Sequence, residues 1–143
     1  MGRYSPAQFR SGRSPARLPE FRPGATDLQP GEVLRRGQQI TSNDGRYRVV
    51  FQTDGNVVLY ETGTGRAIWA TNTPGSQAQQ FIMQTDGNLV LYAGTSTQPS
   101  AALWAAGTQG HPGTFAILQD DGNFVLYSGS QALWSSRSSR WRA

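Results

Sequence analysis

The sequence predicts an all-β fold made of three copies of one unit, and three observations carry that expectation. The stretch FQTDGNVVLY (51–60) returns as MQTDGNLVLY (83–92) and again as LQDDGNFVLY (118–127). Each copy is followed by an apolar-Trp-small triplet: Ile68-Trp69-Ala70, Leu103-Trp104-Ala105 and Leu133-Trp134-Ser135. Short β-branched and aromatic runs alternate with turn residues throughout, and no window offers a helical apolar stripe. Aligned on Gln52, Gln84 and Gln119, the copies are 32 and 35 residues apart, a period typical of repeat architectures.

In chain order, the first element is an arm. Residues 1–25 hold Arg3, Arg10, Arg13, Arg17 and Arg22 against Glu20, and so carry the whole net charge of +4. The other eight arginines are balanced by eight acids. The arm is rich in Pro, Ser and Gly, lacks apolar periodicity, and reads as a disordered, solvated segment. An Arg-rich arm also suits an anionic partner. Its lack of a charged-then-apolar pattern predicts a cytoplasmic protein or one exported by a non-classical route. The repeat domain is placed at 26–143. It has no apolar run long enough to span a membrane, which predicts no membrane insertion. It has no cysteine for a disulfide or a thiolate metal site.

Within each repeat, Asp-Gly stands between two apolar runs, a strong hairpin signal because Gly accepts the positive φ of a tight turn. Were residues 52–60 one straight strand, Gln52 and Tyr60 would lie roughly 26 Å apart, too far for one small ligand. A bend at Asp54-Gly55 gathers Gln52, Asp54, Asn56 and Tyr60 around one shallow pocket and turns Phe51, Val57 and Leu59 to the core. The register stays open. Such a pocket offers carboxylate, carboxamides, a phenol hydroxyl and a small apolar patch, but no cation. It suits a neutral polyhydroxy ligand. Phosphate, and with it nucleic acid, is disfavoured by Asp54, Asp86 and Asp121.

The pattern Q-x-D-x-N-x-V-x-Y resembles the signature of the bulb-type, or monocot, mannose-binding lectins. It is complete in all three copies: Gln52, Asp54, Asn56, Val58, Tyr60; Gln84, Asp86, Asn88, Val90, Tyr92; Gln119, Asp121, Asn123, Val125, Tyr127. The resemblance covers about residues 26–140. It implies a β-prism II fold, three four-stranded antiparallel sheets about a pseudo-threefold axis with one site per sheet. It further implies that Asp and Asn bind the axial 2-hydroxyl of mannose, Gln the 3-hydroxyl and Tyr the 4-hydroxyl, with Val against the C3–C4 edge. The expected function is metal-independent and cofactor-free binding of α-D-mannose and mannose-terminated glycans such as oligomannose or mannan. Plant members usually carry a disulfide and a signal peptide, and this chain has neither, which hints at a bacterial or cytoplasmic relative. The family's C-terminal strand exchange would give Trp141 a burial site and yield a homodimer.

Other residues carry competing readings. Trp69, Trp104 and Trp134 could stack on sugars, but one per repeat after an apolar residue is expected to meet at a central core. His111 has no partner for catalysis or metal binding. Asp120 reads as a solvated turn residue, or as one that tunes the third site. No nucleophile with a base and no carboxylate pair points to an enzyme. The alternative carried forward is a protein-interaction or structural module of the same fold, its arm binding an acidic partner.

Overall fold

The computed structural model describes residues 19–138. Residues 1–18 of the arm and the end of the C-terminal segment, including Trp141 and its expected strand exchange, lie outside the described residues. Twelve short strands are described: β1 Asp27–Leu28, β2 Val33–Leu34, β3 Gln39–Thr41, β4 Tyr47–Phe51, β5 Val57–Glu61, β6 Arg66–Ala70, β7 Ala78–Met83, β8 Leu89–Ala93, β9 Ala102–Ala105, β10 Phe115–Leu118, β11 Phe124–Ser128 and β12 Gln131–Ser135. They form three four-stranded antiparallel sheets, ordered β3-β4-β5-β6 (sheet I), β2-β7-β8-β9 (sheet II) and β1-β10-β11-β12 (sheet III). Each repeat supplies three strands of its own sheet. The fourth comes from residues 27–41, which give one short strand to each sheet in turn and so lace the three together.

Alternation along the central hairpins sets the two faces of each sheet. In sheet I, Phe51 pairs with Val57 and Val49 with Leu59, all fully buried. The intervening pairs, Val50 with Val58 and Arg48 with Tyr60, lie on the outer face. The inward set recurs as Met83, Leu89, Phe81 and Leu91 in sheet II and as Leu118, Phe124, Ala116 and Leu126 in sheet III. A period of two therefore sends Asn, Val and Tyr outward in each copy while the two residues between them enter the core.

The corner of each hairpin is wider than an Asp-Gly pair. Gly55 N–H donates to Gln52 O at 3.0 Å, and Gln52 N–H to Asn56 O at 2.8 Å, closing a three-residue loop. Only its glycine has positive φ: +92° at Gly55, +96° at Gly87 and +88° at Gly122. This is a type I turn followed by a left-handed residue, the usual three-residue hairpin. A second constraint acts on the same atom. A Cβ on Gly55 would meet Ser76 O at 2.9 Å, one on Gly87 the His111 carbonyl carbon at 2.7 Å, and one on Gly122 the Tyr47 ring at 2.8 Å. Each corner thus packs on a neighbouring repeat, and the contacts close a ring.

The tryptophans of β6, β9 and β12 meet as the sequence predicts, but half-buried against the core and not within it. Ring centroids of Trp69, Trp104 and Trp134 are 5.4–5.6 Å apart, each pair edge-to-face at 71–77°. They pack on the main core cluster, which includes Phe51, Phe81 and Phe124. Edge-to-face pairs add ~0.5–1.5 kcal/mol each beyond the area they bury.

Residues 19–25 differ from the solvated arm that composition assigns to them. Phe21 is buried, its N–H donates to Val33 O at 3.0 Å, and Val33 N–H donates to Pro19 O at 2.9 Å. Arg22 bonds Glu32 at 2.7 Å and pairs with Asp27, while Arg35 holds Glu20 at 3.0 Å. One buried aromatic in an otherwise polar stretch is enough to bring the packed chain forward to Pro19.

Replacing Trp104 by Ala removes two edge-to-face contacts and core packing at once. It is expected to cost about 3 kcal/mol in chemical denaturation. A loss below ~1 kcal/mol, ordinary for any point substitution, would show that the triad does not hold the three sheets together.

Candidate functional site

The register brings all five signature residues of each copy to one hairpin end. Gln52, Asp54 and Asn56 lie in the corner, while Val58 and Tyr60 stand on the outer face of β5. Gln84, Asp86, Asn88, Val90 and Tyr92 repeat this in sheet II, and Gln119, Asp121, Asn123, Val125 and Tyr127 in sheet III. The aspartates are exposed. The valines form the floor, walled in to 2–4% exposure.

A single chain of hydrogen bonds links the polar groups. Asp54 Oδ1 accepts the Asn56 backbone N–H at 2.9 Å, and Gln52 Nε2 donates to the same carboxylate at 3.2 Å. Asp86 and Asp121 do likewise, at 2.9 and 3.1 Å and at 2.9 and 3.2 Å. The Tyr60, Tyr92 and Tyr127 hydroxyls donate to Oε1 of Gln52, Gln84 and Gln119, the last at 2.5 Å. A carboxylate can only accept. The Gln NH2 must therefore face Asp, its Oε1 must face Tyr, and the Tyr proton is thereby fixed.

The asparagine is pinned from the other side. Asn56 Oδ1 accepts the Thr73 N–H at 3.0 Å and the Thr71 hydroxyl at 3.2 Å. Asn88 Oδ1 accepts the N–H groups of Gly107 and Thr108, and Asn123 Oδ1 the Ser136 hydroxyl and the Ser138 N–H. With Oδ1 occupied, only the Asn NH2 is left to meet a ligand, as a donor beside the Asp acceptor. Thr73, Thr108 and Ser138 also donate their hydroxyls to the carbonyls of Gly55, Gly87 and Gly122, at 2.6–2.8 Å. These three supporting hydroxyls escaped the motif reading, although each stands four residues after its Trp.

Three copies of one signature sit in three different frames. Opposite the tyrosine on the neighbouring strand stand Arg48 in sheet I, Gln80 in sheet II and Phe115 in sheet III. The Arg48 guanidinium lies 4.9 Å over the Tyr60 ring, and Phe115 is tilted against Tyr127 with centroids 6.0 Å apart. In sheet II the signature residues line a cavity of about 400 Å³, closed on one side by Thr97, Pro99, Ala102 and Ala105.

Asp120 is an exposed turn residue, as the first of its two sequence readings has it, and it has a structural bond besides. Its Oδ1 accepts the Asp44 N–H at 2.9 Å and ties the sheet III corner to the β3–β4 loop. His111 is exposed, and its backbone supports Gly87. Among the described residues no group of three or more His, Asp or Glu is placed to hold a metal, and no helix is long and apolar enough to cross a membrane. Burial, and secondarily the negative charge of Asp86, push the Tyr92 phenol above its ordinary range, so it stays protonated and donating further into alkaline pH.

No protein-family model matches the chain. Among solved structures it is similar to the monomeric monocot mannose-binding lectins of Gastrodia elata, with 36% identity, a TM-score of 0.68, and 80% of this chain and 96% of that one covered. The mannose-specific agglutinin of snowdrop (Galanthus nivalis) bulbs, solved with methyl-α-D-mannoside, shares 37% identity at a TM-score of 0.59, over 79% of this chain and 96% of its own. The mannose-specific lectin of Narcissus pseudonarcissus is 46% identical over 48 residues, 34% of this chain. The chain spans 47% and 40% of the length of the two curated relatives it matches.

The backbone N–H of Asn56 first, then the Gln52 amide, hold the Asp54 carboxyl below the usual aspartate range. A depressed carboxyl contributes stability that is present above its unfolded pKa and lost as pH falls through the folded one. A carbon-detected NMR titration is expected to show Asp54 ionised at pH values where a free aspartate has protonated, with the Asn56 amide shifting in step. An Asp54 midpoint at or above the ordinary aspartate value would remove the carboxylate from the chain of hydrogen bonds.

Proposed function

The chain belongs to the bulb-type mannose-binding lectin family, with its β-prism II fold, and on that premise we propose that it is a non-enzymatic carbohydrate-binding protein. Its ligands are α-D-mannose and mannose-terminated glycans, taken at three metal-independent sites. The observation that carries this reading is the fixed polarity of the Tyr–Gln–Asp chain in all three copies. A sugar hydroxyl between Asp and Asn donates to the carboxylate and accepts from the Asn NH2. Gln keeps one N–H and one lone pair for a second hydroxyl. The Tyr oxygen, its proton given to Gln, accepts from a third. Three neighbouring hydroxyls with one apolar edge against the Val floor satisfy that pattern, and the roles implied by the family map onto it. An axial 2-hydroxyl reaches the Asp–Asn pair. An equatorial one leaves that pair unmatched, at ~1–3 kcal/mol.

A shallow, open pocket predicts weak monosaccharide binding, about millimolar, near −4 kcal/mol. Calorimetry with mannose, glucose and galactose in EDTA is expected to give heat with mannose alone. Replacing Asp54, Asp86 or Asp121 by Ala is expected to remove one site of three and leave the fold intact. Equal response to all three sugars, or its loss with chelator, would overturn the reading.

Assembly is proposed as a homodimer through the C-terminal segment, where the large apolar Trp141 is flanked by Arg140 and Arg142. Light scattering is then expected to give about twice the 15.6 kDa chain mass. A monomer at high micromolar concentration would exclude the exchange and leave the sugar sites untouched.

A further inference from the structure

The apolar-Trp-small triplet after each signature ends on the wall of its own site, and one of the three differs there. Across each sheet, Val58 pairs with Ala70, Val90 with Ala105 and Val125 with Ser135. Residues directly opposite one another on antiparallel strands share a face, so all three stand beside the Val floor. In sheet II the position is visible in the site, where Ala105 lines the same cavity as the signature residues. Sheet III sets a hydroxyl where the other two sheets set a methyl group.

The backbone at this wall follows one course in all three copies. Three residues after each Trp the chain turns through a left-handed residue, Asn72 at φ +61°, Gly107 at +78° and Arg137 at +59°. The difference at the wall is therefore the hydroxyl itself. Its polarity is also set. Ser135 Oγ accepts the Arg137 N–H at 3.2 Å and bonds nothing else among the described residues. A serine hydroxyl has one proton to donate, and that of Ser135 is left for a ligand. The residue is half-buried.

Strand order places this donor across the site from Gln119. Gln119 follows the end of β10, β11 carries the Val125 floor, and β12 carries Ser135. A mannose whose 3-hydroxyl meets Gln119 lays its C3 toward β10. The atom opposite C3 in a pyranose is the ring oxygen, which then lies toward β12. Neighbouring strands are ~4.8 Å apart, a gap that one sugar ring spans. A ring oxygen accepts hydrogen bonds and has none to donate, which suits a hydroxyl with a free proton.

We propose that Ser135 is a specificity-determining residue of the sheet III site, donating to the ring oxygen of the mannose bound there and making this site the tightest of the three. The proposal rests on the mannose reading above. It lies outside the signature, whose five residues are the same in every copy, and Ala70 and Ala105 offer that edge of the sugar no partner.

The backbone amides of Asn56, Asn88 and Asn123 report the three sites separately in an NMR titration of the full chain. Methyl α-mannoside is expected to bind about fivefold more tightly at Asn123 than at the other two, the ratio that one net hydrogen bond supplies. Its carba analogue, with a methylene in place of the ring oxygen, is expected to show no such margin. A serine that only braced the turn at Arg137 would not tell these two ligands apart. Ser135→Ala is expected to weaken methyl α-mannoside at Asn123 about fivefold and to leave the carba analogue unchanged. If that variant does not fold, Ala105→Ser is expected to strengthen methyl α-mannoside at Asn88 by the same ratio. Equal affinities at the three amides, or a margin at Asn123 that survives either the carba analogue or Ser135→Ala, would overturn the proposal. Failure of methyl α-mannoside to move any of the three amides would instead overturn the mannose reading itself.

Discussion

In each hairpin corner one aspartate carboxylate receives the backbone N–H two residues on, at 2.9 Å in all three copies, and the Gln amide and Tyr hydroxyl that face a ligand are oriented from it. The carboxylate shapes the corner by capping a backbone donor, a local bond that aspartate makes readily. It also fixes the Gln amide, which fixes the Tyr proton. Had the corner carried an amide instead, Gln could bind it in either orientation and the hydrogen-bond polarity of the pocket would be lost. Turn chemistry and ligand chemistry are thus one constraint, and this is why Gln and Tyr persist at positions a bare turn does not need. The glycine that follows joins this corner to its neighbour, and the Thr or Ser hydroxyl on the glycine carbonyl closes the arrangement from behind.

The threefold plan and the differences between sheets serve separate ends. Symmetry lives in the framework, where one half-buried Trp from each repeat meets the other two and the N-terminal segment gives each sheet its fourth strand. Difference lives on the outer faces. Arg48, Gln80 and Phe115 give the three tyrosines a cation, an amide and an aromatic ring as neighbours. The inward positions differ too, as Val49, Phe81 and Ala116 or Val57, Leu89 and Phe124 show, but there the changes of volume offset one another within one packed core. Weak identical sites on one body gain avidity when a surface presents many sugars, whereas differing frames let one site read more of the glycan than the others.

How legible all this is in the sequence depends on the length of each signal. The hairpin runs of four to six residues show period-two alternation, so Phe51, Val57 and Leu59 are assigned inward correctly. The three Trp positions are visible because they recur. The strands β1, β2 and β3 span two or three residues, too few for any period to register, and their distribution over three sheets is a property of the closed ring. The corner reads as a two-residue turn because Asp-Gly is common to both hairpin types; the φ of Asp54 separates them, and no residue type encodes it. The 94–101 loop leaves one faint trace, a Tyr-to-Trp spacing of 12 residues in the second copy against 9 and 7 in the others. That it walls one side of a pocket is seen only in the structure, where Gln80 holds its start and Thr97 and Pro99 line the pocket. Phe21 was hidden by the composition around it.

The most direct measurement is a crystal structure of the chain grown with methyl α-D-mannoside. One sugar is expected at each hairpin corner, its 2-hydroxyl between the Asp carboxylate and the Asn NH2 and its apolar edge on the Val floor, with the Tyr–Gln–Asp hydrogen bonds unchanged. Sugar density away from the corners, or corners whose Gln and Tyr swing apart to admit the ligand, would contradict a pocket whose polarity is set in advance by the turn.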